Sequence, residues 1–125
     1  MLEQLIFEIG GMCGFYSLKV QNGSETITYQ YQFPLEDDWR FGEVSIIDSG
    51  WLEMLESVNV KSWRSVYVPE ERICDGIMWS LEYKARGKRW RHIKGDNSYP
   101  ETWNRFIEVI SSLDSRFDLK EFSTS

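Results

Sequence analysis

Residues 15–33 read FYSLKVQNGSETITYQYQF, two runs in which apolar and polar side chains alternate on either side of an Asn-Gly pair. Alternation with a period of two marks a strand with one buried and one wet face. Asn-Gly between two such runs is the strongest short-range hairpin signal, because a type I′ turn needs positive φ at both central positions. The pair predicts antiparallel strands over 15–20 and 26–33, with Val20 opposite Glu25, Leu18 opposite Ile27 and Tyr16 opposite Tyr29. Ile27, Tyr29, Tyr31 and Phe33 then face a core, while Thr26, Thr28, Gln30 and Gln32 face water. A chain built this way is committed to an antiparallel sheet, and other elements must cover its apolar side.

The rest of the chain supplies them. LEQLIFEI (2–9) alternates Leu5, Phe7 and Ile9, and Gly10-Gly11 ends it. The glycines of GGMCGFY lack the Lys-Ser/Thr of a phosphate loop and lead into a strand, so Gly10, Gly11 and Gly14 read as a bend. A short strand is expected over 43–47. Asp48-Ser49 predicts the cap of a helix over 49–58, with Trp51, Leu52, Leu55 and Val58 along one side. Residues 59–73 show no clear period, although Trp63, Val66 and Tyr67 are expected to pack. Asp75-Gly76 marks a turn into a strand over 77–85, and Arg86-Gly87 turns the chain back through 88–94. The simplest register sets Tyr83 opposite Trp90, Leu81 opposite His92, Lys84 opposite Arg89 and Glu82 opposite Arg91, which places Trp90 and His92 in the core. A helix over 99–113 carries the stripe Trp103, Phe106, Ile107, Ile110 and Leu113. Ser98-x-x-Glu101 reads as its capping box, with Pro100 in the first turn. Phe117, Leu119 and Phe122 predict a short packed tail. No βαβ alternation, repeat or linker is present. The expectation is one α+β domain over 1–125: a mainly antiparallel sheet of about five to six strands with two helices packed on one face.

The 125 residues include six Trp, six Tyr and seven Phe, ample apolar volume for one core. No apolar run is long enough to span a bilayer, and MLEQLIFEIGG has no basic segment of the kind a secretory leader carries. The expected setting is the cytoplasm, with no membrane partner and with Cys13 and Cys74 as thiols. No GxSxG, HExxH, phosphate-loop or dinucleotide motif occurs, and the lone histidine, His92, sits in a strand predicted to pack. No catalytic residue, metal ligand set or cofactor is expected; a hydrolase built on acids and His92 is the weaker reading.

Charge is the informative feature. Lys84, Arg86, Lys88, Arg89, Arg91 and Lys94 fall in eleven residues without an acid, so a net charge of −6 leaves −12 for the remainder. A basic hairpin of this kind binds an anionic partner or protects a strand edge from aggregation. Glu36, Asp37, Asp38, Glu43, Glu53 and Glu56 form the complementary candidate, an acidic face that would meet a basic protein.

Asp75-Gly76-x-x-Trp79-Ser80-Leu81-Glu82, followed after the hairpin by Gly95-x-Asn97-x-Tyr99-Pro100-x-x-Trp103-x-x-Phe106, resembles a block of small bacterial proteins of unassigned function. In general character the chain is similar to immunity proteins of bacterial toxin systems and to phage-encoded inhibitors. The resemblance implies a non-catalytic protein that occludes a partner, a toxin or other bacterial effector, through a charged surface. The alternative is a nucleotide or nucleic-acid binding module that uses the basic hairpin 84–94.

Overall fold

The computed structural model describes residues 1–71 and 76–124. Its strands are β1 (Leu2–Gly11), β2 (Gly14–Asn22), β3 (Thr26–Gln32), β4 (Arg40–Ser45), β5 (Val66–Tyr67), β6 (Met78–Ala85) and β7 (Trp90–Asp96). Its helices are α1 (Ile46–Ser49), α2 (Trp51–Val58) and α3 (Trp103–Ser111), with 3-10 turns at Val60–Ser62 and Lys120–Phe122. The strands form one seven-stranded sheet in the order β4-β3-β2-β1-β6-β7-β5. Every neighbouring pair is antiparallel except β5 and β7. The α+β class and the mainly antiparallel sheet follow the sequence pattern. The element count does not: seven strands and three helices replace five to six strands and two helices.

The helices cover one face of the sheet. Leu5, Phe7, Ile9, Leu18, Val20, Ile27, Tyr29, Tyr31, Trp79, Leu81 and Ile93 are buried from the strands, and Trp51, Leu55, Val58, Trp103, Phe106, Ile107 and Ile110 close over them from the helices. Each such side chain contributes roughly 1.5–3 kcal/mol by leaving water. Aromatic rings dominate the centre, with Trp79 4.8 Å from Trp103 and Phe7 5.0 Å from Phe106 between centroids. The indole N–H of Trp51 donates to the Val109 carbonyl at 2.9 Å and ties α2 to α3. No helix among the described residues is long and apolar enough to cross a membrane.

Local chemistry explains each departure from the expected boundaries. In the first hairpin, Val20 lies opposite Tyr29 and Leu18 opposite Tyr31, a shift of four residues from the expected pairing. Neither Asn22 nor Gly23 has positive φ. Asn22 stays in β2 and spends its amide on the Leu2 carbonyl at 2.7 Å, so the loop runs through Gly23–Thr26 and closes with Gly23 N–H on the Thr26 carbonyl at 2.9 Å. An even shift leaves every side chain on its expected face.

The helix expected over 49–58 forms as α2, and the strand expected over 43–47 instead runs from Arg40 to Ser45 and gives way to the short α1 at Ile46. Ser45 caps α1 by accepting the Asp48 N–H at 3.2 Å, and Gly50, at φ 62°, breaks the chain before α2. Ser49 still supports the α2 start by accepting the Trp51 N–H at 3.2 Å. The capping box on Ser98 and Glu101 does not form, and α3 begins only at Trp103. The Ser98 carbonyl is taken by the Trp79 indole at 3.0 Å, and the hydroxyl of Thr102, the residue at the N-cap, accepts the Trp63 indole at 2.8 Å. The tail packs as expected, with Phe117 and Leu119 buried. Val66, expected to pack, is 45 % exposed on the short β5. Asp75 of the expected turn and Cys74 lie outside the described residues.

Candidate functional site

The second hairpin is displaced by one residue, and that displacement shapes the site. Lys84 lies opposite Trp90, Tyr83 opposite Arg91, Glu82 opposite His92 and Leu81 opposite Ile93. The loop is Arg86–Arg89, with Gly87 at φ 75° and Lys88 N–H on the Ala85 carbonyl at 3.0 Å. A one-residue step turns every side chain of the returning strand over. Ile93 and Gly95 therefore take the core side, while Trp90, His92 and Lys94 are exposed on the uncovered face. This corrects the expected burial of Trp90 and His92. The core itself selects the register. A Cβ at residue 95 would lie 2.2 Å from the Trp79 indole nitrogen, so only glycine fits against that ring.

The six basic residues separate into two roles. Arg91 points to the helix side and donates to the carbonyls of Val60 (3.2 Å), Lys61 (3.1 Å) and Trp63, and to the Tyr83 hydroxyl at 3.2 Å. It anchors the 3-10 turn that follows α2. Lys84 pairs with Glu3 at 3.2 Å. Arg86, Lys88, Arg89 and Lys94 are exposed and have no carboxylate partner among the described residues. Arg86, Lys88 and Arg89 in the loop form, with Trp90, which is 36 % exposed, a cationic end of the sheet carrying one aromatic ring, while Lys94 lies further along β7 beside β5, on the same face as Trp90.

The acidic candidates do not gather. Glu36, Asp37 and Asp38 sit in the β3–β4 loop, which antiparallel register places at the opposite end of the sheet from the β6–β7 loop. Glu36 is paired with Arg40 at 3.5 Å. Glu43 lies on β4 and points to the uncovered face, beside Thr28. Glu53 and Glu56 are on α2, in the helix layer. Beside Glu56 an apolar groove of about 330 Å³ runs between α2 and the sheet, floored by Leu5, Leu55 and Leu81.

His92 faces Glu82 with Nδ1 3.5 Å from Oε1, and the two side chains are 67 % and 40 % exposed. They border a shallow depression of about 330 Å³ that also holds Ser65, Val66, Ser80 and Lys94. Cys13 is exposed in the β1–β2 turn. Among the described residues, no three ligating side chains converge in a way that would hold a metal ion.

The block quoted from the sequence is a packing unit. Asn97, at φ 50°, accepts the Ile77 N–H at 2.8 Å through its side chain and donates its own N–H to the Ile77 carbonyl at 2.9 Å. Gly76 leaves room for that side chain, since a Cβ there would lie 1.9 Å from it. Tyr99 packs on Trp103 at 4.9 Å.

One polar cluster has no counterpart in the sequence reading. Asp114, in the tail, accepts the Tyr29 hydroxyl at 2.8 Å and two guanidinium bonds from Arg116 at 3.0 and 2.9 Å. The Arg116 bonds hold the Asp114 carboxyl well below the usual carboxylate range, against the opposing effect of burial. Burial, and then the bond to Asp114, push the Tyr29 phenol up to about 12. Asp114-x-Arg116 was the available signal, a carboxylate and a guanidinium two residues apart beside the buried Phe117. Comparison of the chain with protein families, curated proteins and solved structures returned no match.

Proposed function

We propose that the chain is a non-catalytic binding protein of the immunity or inhibitor kind, which occludes an acidic surface of a partner protein with the cationic end of its sheet. The observation that carries this reading is the grouping of Arg86, Lys88 and Arg89, free of carboxylate partners among the described residues, in the loop beside the exposed ring of Trp90. Arginine and aromatic residues are enriched at the energetic centres of protein interfaces. The acidic residues, spread over a loop, an outer strand and a helix, offer no comparable surface. A partner surface that touched only this end would be drawn to it and would avoid the −12 carried by the rest of the chain.

The exposure of Trp90 also favours the second reading, a single-stranded nucleic acid stacked on that ring and held by the same cations. A long polyanion, however, would run past the hairpin onto an acidic body, and phosphate neutralisation supplies most of such affinity.

The test compares three proteins as affinity baits in a bacterial lysate: the native chain, the variant Arg86→Glu/Lys88→Glu/Arg89→Glu, and the variant Asp37→Lys/Asp38→Lys. The expected result is an acidic protein retained by the first and third and lost by the second. Retention by the hairpin variant, or recovery of nucleic acid in place of protein, contradicts the reading.

A further inference from the structure

The outer edge of β7 is half covered. β5 contributes two residues, with Val66 opposite Lys94 and Tyr67 opposite Gly95. On that side Lys94 donates its N–H to the Ser65 carbonyl at 3.0 Å. Backbone groups alternate in direction along a strand, so the N–H and C=O of His92 and Trp90 point the same way as those of Lys94. No described strand runs beside them. The unpaired edge therefore stands next to the loop that carries Arg86, Lys88 and Arg89.

We infer that this edge accepts an extended acidic segment of the partner protein, added as a strand beside Trp90 and His92. This rests on the protein-binding reading above and specifies how the partner is held. Main-chain bonds to an exposed sheet edge give affinity, and pockets for alternate side chains give specificity. Such a pocket is present: the depression of about 330 Å³ lined by Ser65, Ser80, His92 and Lys94 opens beside the edge on the uncovered face. Lys94 and the two serine hydroxyls suit a carboxylate there, on the side of the depression away from Glu82, which stands 3.5 Å from His92. The cations around the edge repel a second copy of the same edge and attract an acidic strand, so the charge that protects the edge also selects its occupant. The 45 % exposed Val66 gives the inserted strand an apolar neighbour.

The probes are a short synthetic peptide alternating glutamate with valine and threonine, a twin N-methylated at every second residue, and an oligothymidylate. Binding is followed by amide NMR of the full chain. The inference expects the unmethylated peptide to bind, to slow hydrogen exchange at the Trp90 and His92 amides by about tenfold or more, and to outbind its twin by about tenfold, the scale of two lost main-chain bonds. His92→Ala removes the imidazole alone and His92→Pro removes the outward N–H as well, a change edge strands tolerate; the proline variant should bind the peptide about tenfold more weakly than the alanine variant, with the spectrum otherwise retained. Equal binding of the two peptides would overturn strand addition and leave the cationic end as the whole site. Binding of the oligonucleotide and of neither peptide would overturn the protein-binding reading as well. Self-association through β7 without peptide would show that a second copy is the occupant, and would also overturn the inference.

Discussion

Glu82 stands directly opposite His92 in the β6–β7 ladder, with Oε1 3.5 Å from Nδ1, and the pair lies on the face that the helices leave uncovered. A histidine in that position supports no core. His92→Ala should therefore change unfolding free energy by less than about 0.5 kcal/mol, the ordinary range for exposed sites. Urea unfolding of the variant checks this; a loss of several kcal/mol would return His92 to the core.

Arg91 and Arg89 are two residues apart and should behave differently. Arg91 donates to the carbonyls of Val60, Lys61 and Trp63, and hydrogen bonds from charged groups contribute about 1.5–3 kcal/mol each in favourable settings. Arg91→Ala is expected to lower stability by about 2–4 kcal/mol. Arg89→Ala, at an exposed position, should cost less than about 0.5 kcal/mol and weaken partner binding instead. Paired denaturation and binding curves separate the two roles.

Gly95 lies where a Cβ would stand 2.2 Å from the Trp79 indole nitrogen. Gly95→Ala must push apart Trp79 and the β7 backbone, and overpacking of this kind costs about 1–3 kcal/mol or more. A calorimetric Tm lower by several degrees is expected, since about 1 kcal/mol shifts the Tm of a domain this size by roughly 3–6 °C.

The Tyr29–Asp114–Arg116 cluster gives stability a pH dependence at both ends. The folded Asp114 carboxyl titrates below its unfolded value, so its contribution is complete above about pH 4 and is lost as pH falls toward the folded value. The Tyr29 phenol is raised to about 12, so its contribution is complete below the unfolded value near 10 and is lost between about pH 10 and 12. Asp114→Asn should cost about 2–3 kcal/mol at neutral pH and flatten the acid limb. Urea midpoints measured across pH check both limbs.

The faces of β1, β2 and β3 were legible because burial imposes a period of two on the sequence, and that period survives a four-residue error in register. The cationic end was visible as composition, but its geometry was not. Whether Trp90 points inward depends on a single loop residue around Gly87, and pattern reading cannot weigh that residue against the contact between Gly95 and Trp79. The helix starts failed for a related reason. Thr102, the residue at the N-cap, has capping chemistry, but the indole of Trp63, 39 residues away in sequence, claims its hydroxyl. Asp114 escaped notice because its partner Tyr29 lies 85 residues away in sequence.

The most direct measurement is an amide NMR titration of the full chain with an acidic peptide at about 50 and 200 mM salt, repeated on Arg86→Glu/Lys88→Glu/Arg89→Glu. Shift changes should gather along Lys84–Lys94 and β5, weaken at the higher salt and vanish in the variant. Shifts centred on the Glu36–Asp38 loop, or binding that survives reversal of the three cations, would contradict the assignment of the cationic end as the binding surface.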